Sequence, residues 1–221
     1  MSKQAPPTTE QQLMDRVMAI AGLRIKDLAS AMAVPVPENL QRKKGFVGQL
    51  IEMALGADAG NQAEPDFIQL SIELKTVPVD RQYRPMESTY VSVVPLMDKS
   101  KQHWEESVVF AKLKQVLWIP IEASRDISLP ERRIGRGILW RPDARVLAEL
   151  QQDYEELMEQ VILGEVDNIT AEQGKWLQIR PKAANSSALT QAIGPEGERI
   201  KTLPRGFYLR PTLTRQILAE Q

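Results

Sequence analysis

The sequence contains no cysteine and only one histidine, and these shortages limit its chemistry more than any residue type that is present. Without cysteine there are no disulfides, no thiolate zinc sites and no cysteine nucleophiles. With His103 alone, neither a Ser-His-Asp triad nor a zinc site built on several histidines can be assembled. Any catalysis must therefore use carboxylates, lysines, hydroxyl groups and hard metal ions.

Long hydrophobic runs are absent as well. No run approaches the roughly 18 residues of a membrane span, and residues 1–12 are polar, unlike a signal peptide. We therefore expect a cytoplasmic protein with no membrane association. Its 221 residues, 43% of them hydrophobic and 26% charged, are enough for one good core, in one or two lobes.

The net charge of −1 hides an uneven distribution of charge along the chain. Residues 146–173 carry eight acidic side chains and no basic one, whereas residues 174–221 carry eight Lys or Arg against three Glu. A local basic segment can supply a phosphate-binding surface even when the whole chain is not basic. The alternative is uneven charge on solvated faces.

One segment combines the residue types that remain available for catalysis. Asp66 is followed seven residues later by Glu73-Leu74-Lys75, in which apolar and charged residues alternate as in a half-buried strand. Glu73 and Lys75 would then lie on one face, roughly 6.5 Å apart. With Asp66, the segment offers two carboxylates for a hard metal ion and a lysine for anionic charge.

The site exists only if the chain folds back within this segment. In one continuous strand, Asp66 and Glu73 would lie roughly 23 Å apart and could not share an ion. We therefore predict a turn near residues 69–71, although these residues are not strong turn formers. The alternative is a solvated strand face, because a Glu-x-Lys triplet with an upstream aspartate also arises by chance.

Hydrophobic periodicity predicts the elements around this segment. Helices are predicted from Thr9 to Gly22, Ile25 to Pro35, Gly45 to Ala54 and Pro142 to Gly164, and strands at 89–96, 116–121 and 176–180. The acidic face of the longest helix is predicted to be solvated or to meet a partner. The pattern indicates a single α/β core with helices packed outside.

Two further charged groups are candidates for the same site. Gly45, Gly48 and Glu52 fall near one side of the third predicted helix, where glycine costs about 1 kcal/mol relative to alanine. Such glycines usually let another backbone or a ligand come close. Glu52 would then project from a side of the helix that carries few side-chain atoms. The alternative is that Glu52 is an ordinary surface glutamate. Lys112 and Lys114 share a face if their segment is extended, which would add a cation near the carboxylates.

Several blocks of the sequence carry distinctive residues in a fixed order, namely residues 37–40 with 44–45, 66–67, 72–76, 116–120, 177–185 and 202–209. Taken together, these blocks resemble the MutH family of methyl-directed DNA mismatch-repair endonucleases. The resemblance implies an α/β fold of the restriction endonuclease type, with a mixed central sheet flanked by helices and two lobes forming a DNA cleft. Residues 1–221 would be a single endonuclease domain, with an N-terminal catalytic lobe and a C-terminal lobe that contributes DNA recognition.

The resemblance also implies an activity. Members of the family bind GATC in double-stranded DNA and nick the unmethylated strand of hemimethylated sites on the 5′ side of the G. They require Mg²⁺ and are activated by MutL after MutS has found a mismatch. We expect this chain to do the same as a monomer.

Individual site residues follow from the family's motifs by position. The catalytic set matches Asp66, Glu73, Lys75, Glu52 and Lys112, and Mg²⁺ would be held by Asp66, Glu73 and the carbonyl of Leu74. DNA contacts match Lys44, Arg180, Pro181 and Lys182, and the residue that senses adenine methylation matches Tyr208. The chain departs from the family at residues 108–111, which lack a basic run, and at a slightly short C-terminus. These departures put some phosphate contacts, and any partner contact at the tail, in question.

Two other functions fit the same residues. One is a restriction endonuclease that cuts both GATC strands alone, which the chain's modest basicity disfavours because it implies weak unaided DNA binding. The other is a non-catalytic DNA-binding or adaptor protein, which the intact set of Asp66, Glu73 and Lys75 disfavours.

Overall fold

A computed structural model describes residues 4–37, 45–60, 63–97, 103–183 and 187–219. The helices are α1 (Glu10–Ile20), α2 (Ile25–Ala31), α3 (Phe46–Leu55), α4 (Val108–Leu113), α5 (Ala144–Ile162) and α6 (Pro211–Ala219). The strands are β1 (Glu73–Val79), β2 (Thr89–Val93), β3 (Val116–Glu122), β4 (Ile138–Trp140), β5 (Leu177–Pro181), β6 (Thr190–Ile193), β7 (Arg199–Thr202) and β8 (Arg205–Leu209). In the described part of the chain, no helix is both long enough and apolar enough to cross a membrane.

The chain divides into two compact units that are interleaved in sequence. The first unit takes residues 1–87, 115–141 and 217–221, and the second takes residues 88–114 and 142–216. The predicted single endonuclease domain with a catalytic lobe and a recognition lobe stays a prediction, because this division does not test those roles.

The first unit is built on the mixed sheet β1-β3-β4. β1 runs parallel to β3, with Glu73 opposite Val116, and β4 runs antiparallel to β3. Helices α1, α2 and α3 pack into one core with β1 and β3. This core contains Leu13 of α1, Leu50 and Ile51 of α3, Leu74 of β1 and Leu117 of β3. The mixed sheet with helices packed on it confirms the predicted fold class.

Local sequence signals explain where two of these helices begin and end. The Thr9 hydroxyl accepts the backbone N–H of Gln12 at 3.1 Å, which satisfies one of the amides left free at the start of α1. α3 ends at Gly56, which has φ +86°, and a Cβ there would lie 2.5 Å from the Ala5 carbonyl oxygen. Only glycine fits that position.

The second unit contains the antiparallel sheet β2-β8-β5 and the two-stranded sheet β6-β7. α5 packs against β5 and ends before Gly164, at φ +78°, as predicted. One acidic residue of this helix contradicts the prediction of a solvated acidic face. Asp153 is buried, and its carboxylate accepts the backbone N–H groups of Lys175, Trp176 and Leu177 at 2.7, 2.6 and 2.8 Å. This carboxylate therefore ties the helix to the start of β5.

The segment around Lys112 is not extended. Residues Val108–Leu113 form α4, which begins where the Ser107 hydroxyl accepts the backbone N–H of Phe110 at 3.0 Å. The idea that Lys112 and Lys114 share one face of an extended segment is therefore wrong, because neighbours two apart on a helix point in different directions. The predicted strand 89–96 is also shorter and ends at Val93.

Candidate active site

The chain folds back between Asp66 and Glu73, at the place where the site requires it. A 3₁₀ turn at Ile68–Leu70 is followed by Ser71 in the left-handed conformation, at φ +54°. Phe67 and Ile72 then face each other as an antiparallel bridge, with the Phe67 N–H donating to the Ile72 carbonyl at 2.9 Å. Both side chains are buried, so they anchor the turn in the core. The predicted reversal is confirmed.

The reversal brings the Asp66 carboxylate to the first residues of β1. Its Oδ2 accepts the backbone N–H of Leu74 at 2.8 Å, so Asp66 lies beside the residue that follows Glu73. In an extended chain Asp66 and Glu73 would lie roughly 23 Å apart, whereas here Asp66 contacts the residue next to Glu73. The condition that the sequence set for a shared site is met.

Glu73 and Lys75 form an ion pair at the start of β1. Lys75 Nζ lies 2.6 Å from Glu73 Oε1, and the Glu73 side chain is only 2% exposed against 14% for Lys75. The Glu73 N–H donates to the Gln115 carbonyl at 3.0 Å, which fixes the start of β1 beside the strand β3. A buried carboxylate next to an ammonium is stable only while both are present, because removal of either leaves an uncompensated charge.

The electrostatics of the site show more negative than positive charge. Burial, followed by the nearby charge of Glu73, raises the pKa of Asp66 from 3.8 to about 6. The Leu74 N–H and the Lys75 ammonium act in the opposite direction, and the charge of Glu52 adds to the rise. The charge of Glu52 therefore acts on the Asp66 carboxyl group. The buried carboxylate of Glu73, the partly buried one of Asp66 and the nearby charge of Glu52 outweigh the Lys75 ammonium, which favours a further cation.

Of the two reasons predicted for the glycines of α3, close approach of another backbone is not found among the described residues, and close approach of a ligand stays a prediction. A Cβ at Gly48 would meet Glu52 Oε1 and Thr76 Oγ1 at 3.9 Å, which is ordinary van der Waals contact. Gly45 is the N-cap of the helix rather than an interior residue. Among the residues that the structure describes, no backbone approaches that would require glycine at Gly48.

The ligand types suit a hard divalent ion. Carboxylate and carbonyl oxygens are what Mg²⁺ prefers, and it is commonly held through one or two carboxylates, with substrate phosphate and water completing the octahedron. Within the described ranges, no group of three or more acidic or histidine side chains is arranged to hold a metal ion. Asp66, Glu73 and the Leu74 carbonyl fit such an open site, and the excess negative charge is consistent with it. Their assignment as ligands stays a prediction.

Four of the five predicted recognition residues lie in the second unit. Arg180 lies on β5 with its guanidinium 5.8 Å from the Tyr208 ring centre, and Arg180, Pro181 and Lys182 are all exposed. Tyr208 on β8 makes an edge-to-face contact with Tyr90, with ring centres 5.4 Å apart. Lys182 Nζ lies 3.6 Å from the Tyr90 ring centre. The structure brings together a surface of basic and aromatic side chains.

Tyr90 is a member of this surface that the sequence did not indicate. It lies opposite Tyr208 because β2 pairs with β8, and that register joins residues more than a hundred positions apart. Only the pairing of the two strands could have identified it.

Two predicted residues are not tested by this geometry. Lys44 lies outside the described residues. Lys112 is partly buried in α4 of the second unit, and its role beside the carboxylates of the first unit stays a prediction.

Comparison with known proteins gives a consistent result. The family described as DNA mismatch repair enzyme MutH matches residues 55–153, a range that contains Asp66, Glu73, Lys75 and Lys112. The DNA mismatch repair protein MutH of Escherichia coli (strain K12) is 51% identical over 215 residues, covering 97% of this chain and 94% of the relative. The proteins of the same name from Escherichia coli O157:H7 (strain EC4115 / EHEC) and Shigella boydii serotype 18 match with the same identity and coverage.

Proposed function

The chain belongs to the MutH family of DNA mismatch repair enzymes, and from that premise we propose that it nicks the unmethylated strand of hemimethylated GATC sites. It is an endodeoxyribonuclease with the restriction endonuclease-like fold of that family. The proposed nick lies on the 5′ side of the G and depends on Mg²⁺. The observation that carries the proposal is the hydrogen bond from the Leu74 N–H to the Asp66 carboxylate, because it assembles two carboxylates and an ammonium on one short segment.

The carboxylates and the lysine have separate roles in this proposal. Asp66, Glu73 and the Leu74 carbonyl would hold Mg²⁺, which, when bound, activates a water molecule as the nucleophile and neutralises phosphate charge. Lys75, held beside Glu73 at 2.6 Å, presents N–H donors that orient the attacking water and stabilise negative charge developing on the phosphate. Glu52 supports the site through its charge near Asp66, and Lys112 would add a second cation for the phosphate.

DNA recognition is assigned to the basic and aromatic surface of the second unit together with Lys44. Arg180 would read a guanine edge through two hydrogen bonds, a contact worth about 1–3 kcal/mol of discrimination. Lys44, Pro181 and Lys182 would contact the DNA around that base. Tyr208 would stand against the adenine amino group, where a methyl group changes both the space and the hydrogen bonding.

Activation by MutL is supported by the charge of the chain. With a net charge of −1, the protein gains little from releasing the counterions of DNA, so its unaided binding is expected to be weak. A partner that holds it on DNA removes that weakness. We propose that a cytoplasmic monomer is recruited and activated by MutL after MutS has found the mismatch.

The experiment is a nicking assay on unmethylated, hemimethylated and fully methylated GATC plasmids, with and without MutL. Nicking of the unmethylated strand, stimulated by MutL and absent from fully methylated plasmid, is the expected result. Equal cleavage of all three plasmids would rule out the methyl-directed function. Cleavage of both strands without MutL would instead identify a restriction endonuclease.

The same assay tests the site. Asp66→Ala and Glu73→Ala are expected to lose activity, whereas Asp15→Ala, on an exposed position of α1, serves as the matched control. Activity retained in both site variants would contradict the assignment of the carboxylates. Loss of activity in the Asp15 variant would show that the assay reports on the fold rather than on the site.

A further inference from the structure

A carboxylate that belongs to none of the motifs holds the turn on which Asp66 depends. The backbone N–H groups of Asp58 and Ala59 donate to the Asp66 carbonyl at 3.0 and 3.3 Å. The Asp58 side chain then reaches past this carbonyl, and its Oδ1 accepts the backbone N–H of Ile68 at 3.1 Å. Asp58 thus forms hydrogen bonds with the backbone at Asp66, through its N–H, and at Ile68, through its side chain.

The contact with Ile68 replaces a missing cap. Ile68 is the first residue of the 3₁₀ turn, where the backbone amides have no partner within the turn. Phe67, in the capping position, provides no side-chain hydrogen bond. Asp58 supplies that acceptor from ten residues upstream in the sequence, as an N-cap side chain would.

The segment that carries Asp58 is itself fixed. Gly56, at φ +86°, sets the direction in which the chain leaves α3, and the carbonyl of Ala5 blocks any side chain there. Ala57 and Ala59, on either side of Asp58, are buried at 6% and 3% exposure. Asp58 therefore lies in a loop whose backbone is fixed by Gly56 before it and by buried alanines on both sides.

We propose that Asp58 is a positioning residue for Asp66, which it holds at the correct distance from Glu73 for a shared divalent ion. It acts through the backbone of the turn and does not contact the ion. The inference rests on the proposed role of Asp66 as a metal ligand. Partners that orient metal ligands typically change metal affinity or activity by about 10–100-fold when they are removed.

A hydrogen-bonding role makes a different prediction from an electrostatic one. The charges that shift the pKa of Asp66 are those of Glu73, Lys75 and Glu52. Asp58 should therefore act through the position of its oxygen and not through its charge. Asparagine keeps an acceptor oxygen at this position, glutamate keeps the charge but displaces it by one methylene group, and alanine removes both.

The experiment measures Mg²⁺ affinity by titration calorimetry on the full chain without DNA, and amide hydrogen exchange at Ile68 and Leu74. Asp58→Ala is expected to raise the Mg²⁺ Kd about tenfold and to speed exchange at both amides, while exchange at Ile119 in β3 stays unchanged. Asp58→Asn should keep the Kd within about threefold of the parent. Asp58→Glu should behave like the alanine variant, and it replaces that variant if alanine prevents folding. Asp15→Ala is the control for loss of a surface carboxylate.

The outcomes separate this inference from the proposed function. An unchanged Kd and unchanged exchange in the alanine or glutamate variant would overturn it, and so would an asparagine variant as weak as alanine. Asp66→Asn is measured beside them. If that variant binds Mg²⁺ normally, the proposed metal site itself is wrong, whatever Asp58 does. If it loses Mg²⁺ while the Asp58 variants bind normally, only the role of Asp58 is refuted.

Discussion

Asp66 should destabilise the metal-free protein at neutral pH, and replacing it with asparagine should reveal the size of that effect. Asparagine is nearly isosteric with aspartate, and its side-chain oxygen can still accept the Leu74 N–H that Asp66 accepts at 2.8 Å. The substitution removes the charge that burial and Glu73 oppose. The expected result is a variant that is more stable than the parent and inactive.

The size of the effect follows from the pKa. A rise in the pKa of Asp66 from 3.8 to about 6 corresponds to about 3 kcal/mol of unfolding free energy at a pH above both values. For a chain of this length, 1 kcal/mol shifts Tm by about 2–4 °C. The asparagine amide is also partly buried and loses hydrogen bonds to water, which offsets part of this gain. We therefore expect a rise in Tm of about 5 °C, below the full value.

The sign of the pH dependence distinguishes this cause from better packing. A carboxyl group whose pKa is raised on folding contributes stability below its unfolded value of 3.8, and that contribution is lost as the pH rises through about 6. The advantage of Asp66→Asn should therefore be near zero at about pH 3 and complete by about pH 8. A packing effect would be the same at every pH.

Thermal melts in EDTA across this pH range, with Asp15→Asn as the surface control, measure the difference directly. A second series with Mg²⁺ should stabilise the parent but not Asp66→Asn, because the variant lacks one of the two proposed carboxylate ligands. A variant that is less stable than the parent at about pH 8, or a difference that does not vary with pH, would refute the reasoning.

Three further substitutions test other parts of the structure. Lys75→Met removes the ammonium that pairs with the Glu73 carboxylate, which is only 2% exposed, so it should lower the free energy of unfolding by about 3 kcal/mol in denaturant melts. Adding Glu73→Gln should restore most of this stability. Purely additive effects in the double mutant would contradict an energetic coupling between the two residues. Gly48→Ala should stabilise α3 by about 0.5–1 kcal/mol, because a Cβ there meets only atoms at 3.9 Å; a loss of stability would reveal a contact not seen here. Asp153→Ala leaves three backbone N–H groups at the start of β5 unpaired, so it should lower the free energy of unfolding by about 3 kcal/mol in chemical denaturation. The control is Glu155→Ala, on an exposed position of the same helix, which should change stability little.

The sequence was informative where a structural property depends on neighbouring residues. The cap at Thr9 and the glycine after α5 are short-range signals, and each is confirmed. The alternation around Glu73 correctly predicts a strand, but not the burial of both Glu73 and Leu74. The turn after Asp66 is a different kind of success. Its residues are weak turn formers, so its prediction came from a requirement of the chemistry, namely that Asp66 and Glu73 must meet.

Two of the misses depend on contacts between distant residues, and the third depends on a local helix cap. The acidic pattern of α5 gives no sign that Asp153, unlike its neighbours, is buried against the backbone of residues 175–177. The environment of Tyr90 depends on the pairing of β2 with β8. The segment before β3 becomes helical because Ser107 caps it, although the alternation around Lys112 also fits an extended chain.

The ten residues from Asp66 to Lys75 explain why a motif this short is ambiguous in sequence and specific in structure. The triplet Glu73-Leu74-Lys75 fixes only that two charges lie on one face of a strand. The site also needs Phe67 and Ile72 to close the turn from the core and the Asp58 oxygen to cap it. A chain that has the triplet without this support would place Asp66 far from Glu73 and would bind no shared ion. The residues that support the turn are therefore as diagnostic of a working site as the charged residues themselves.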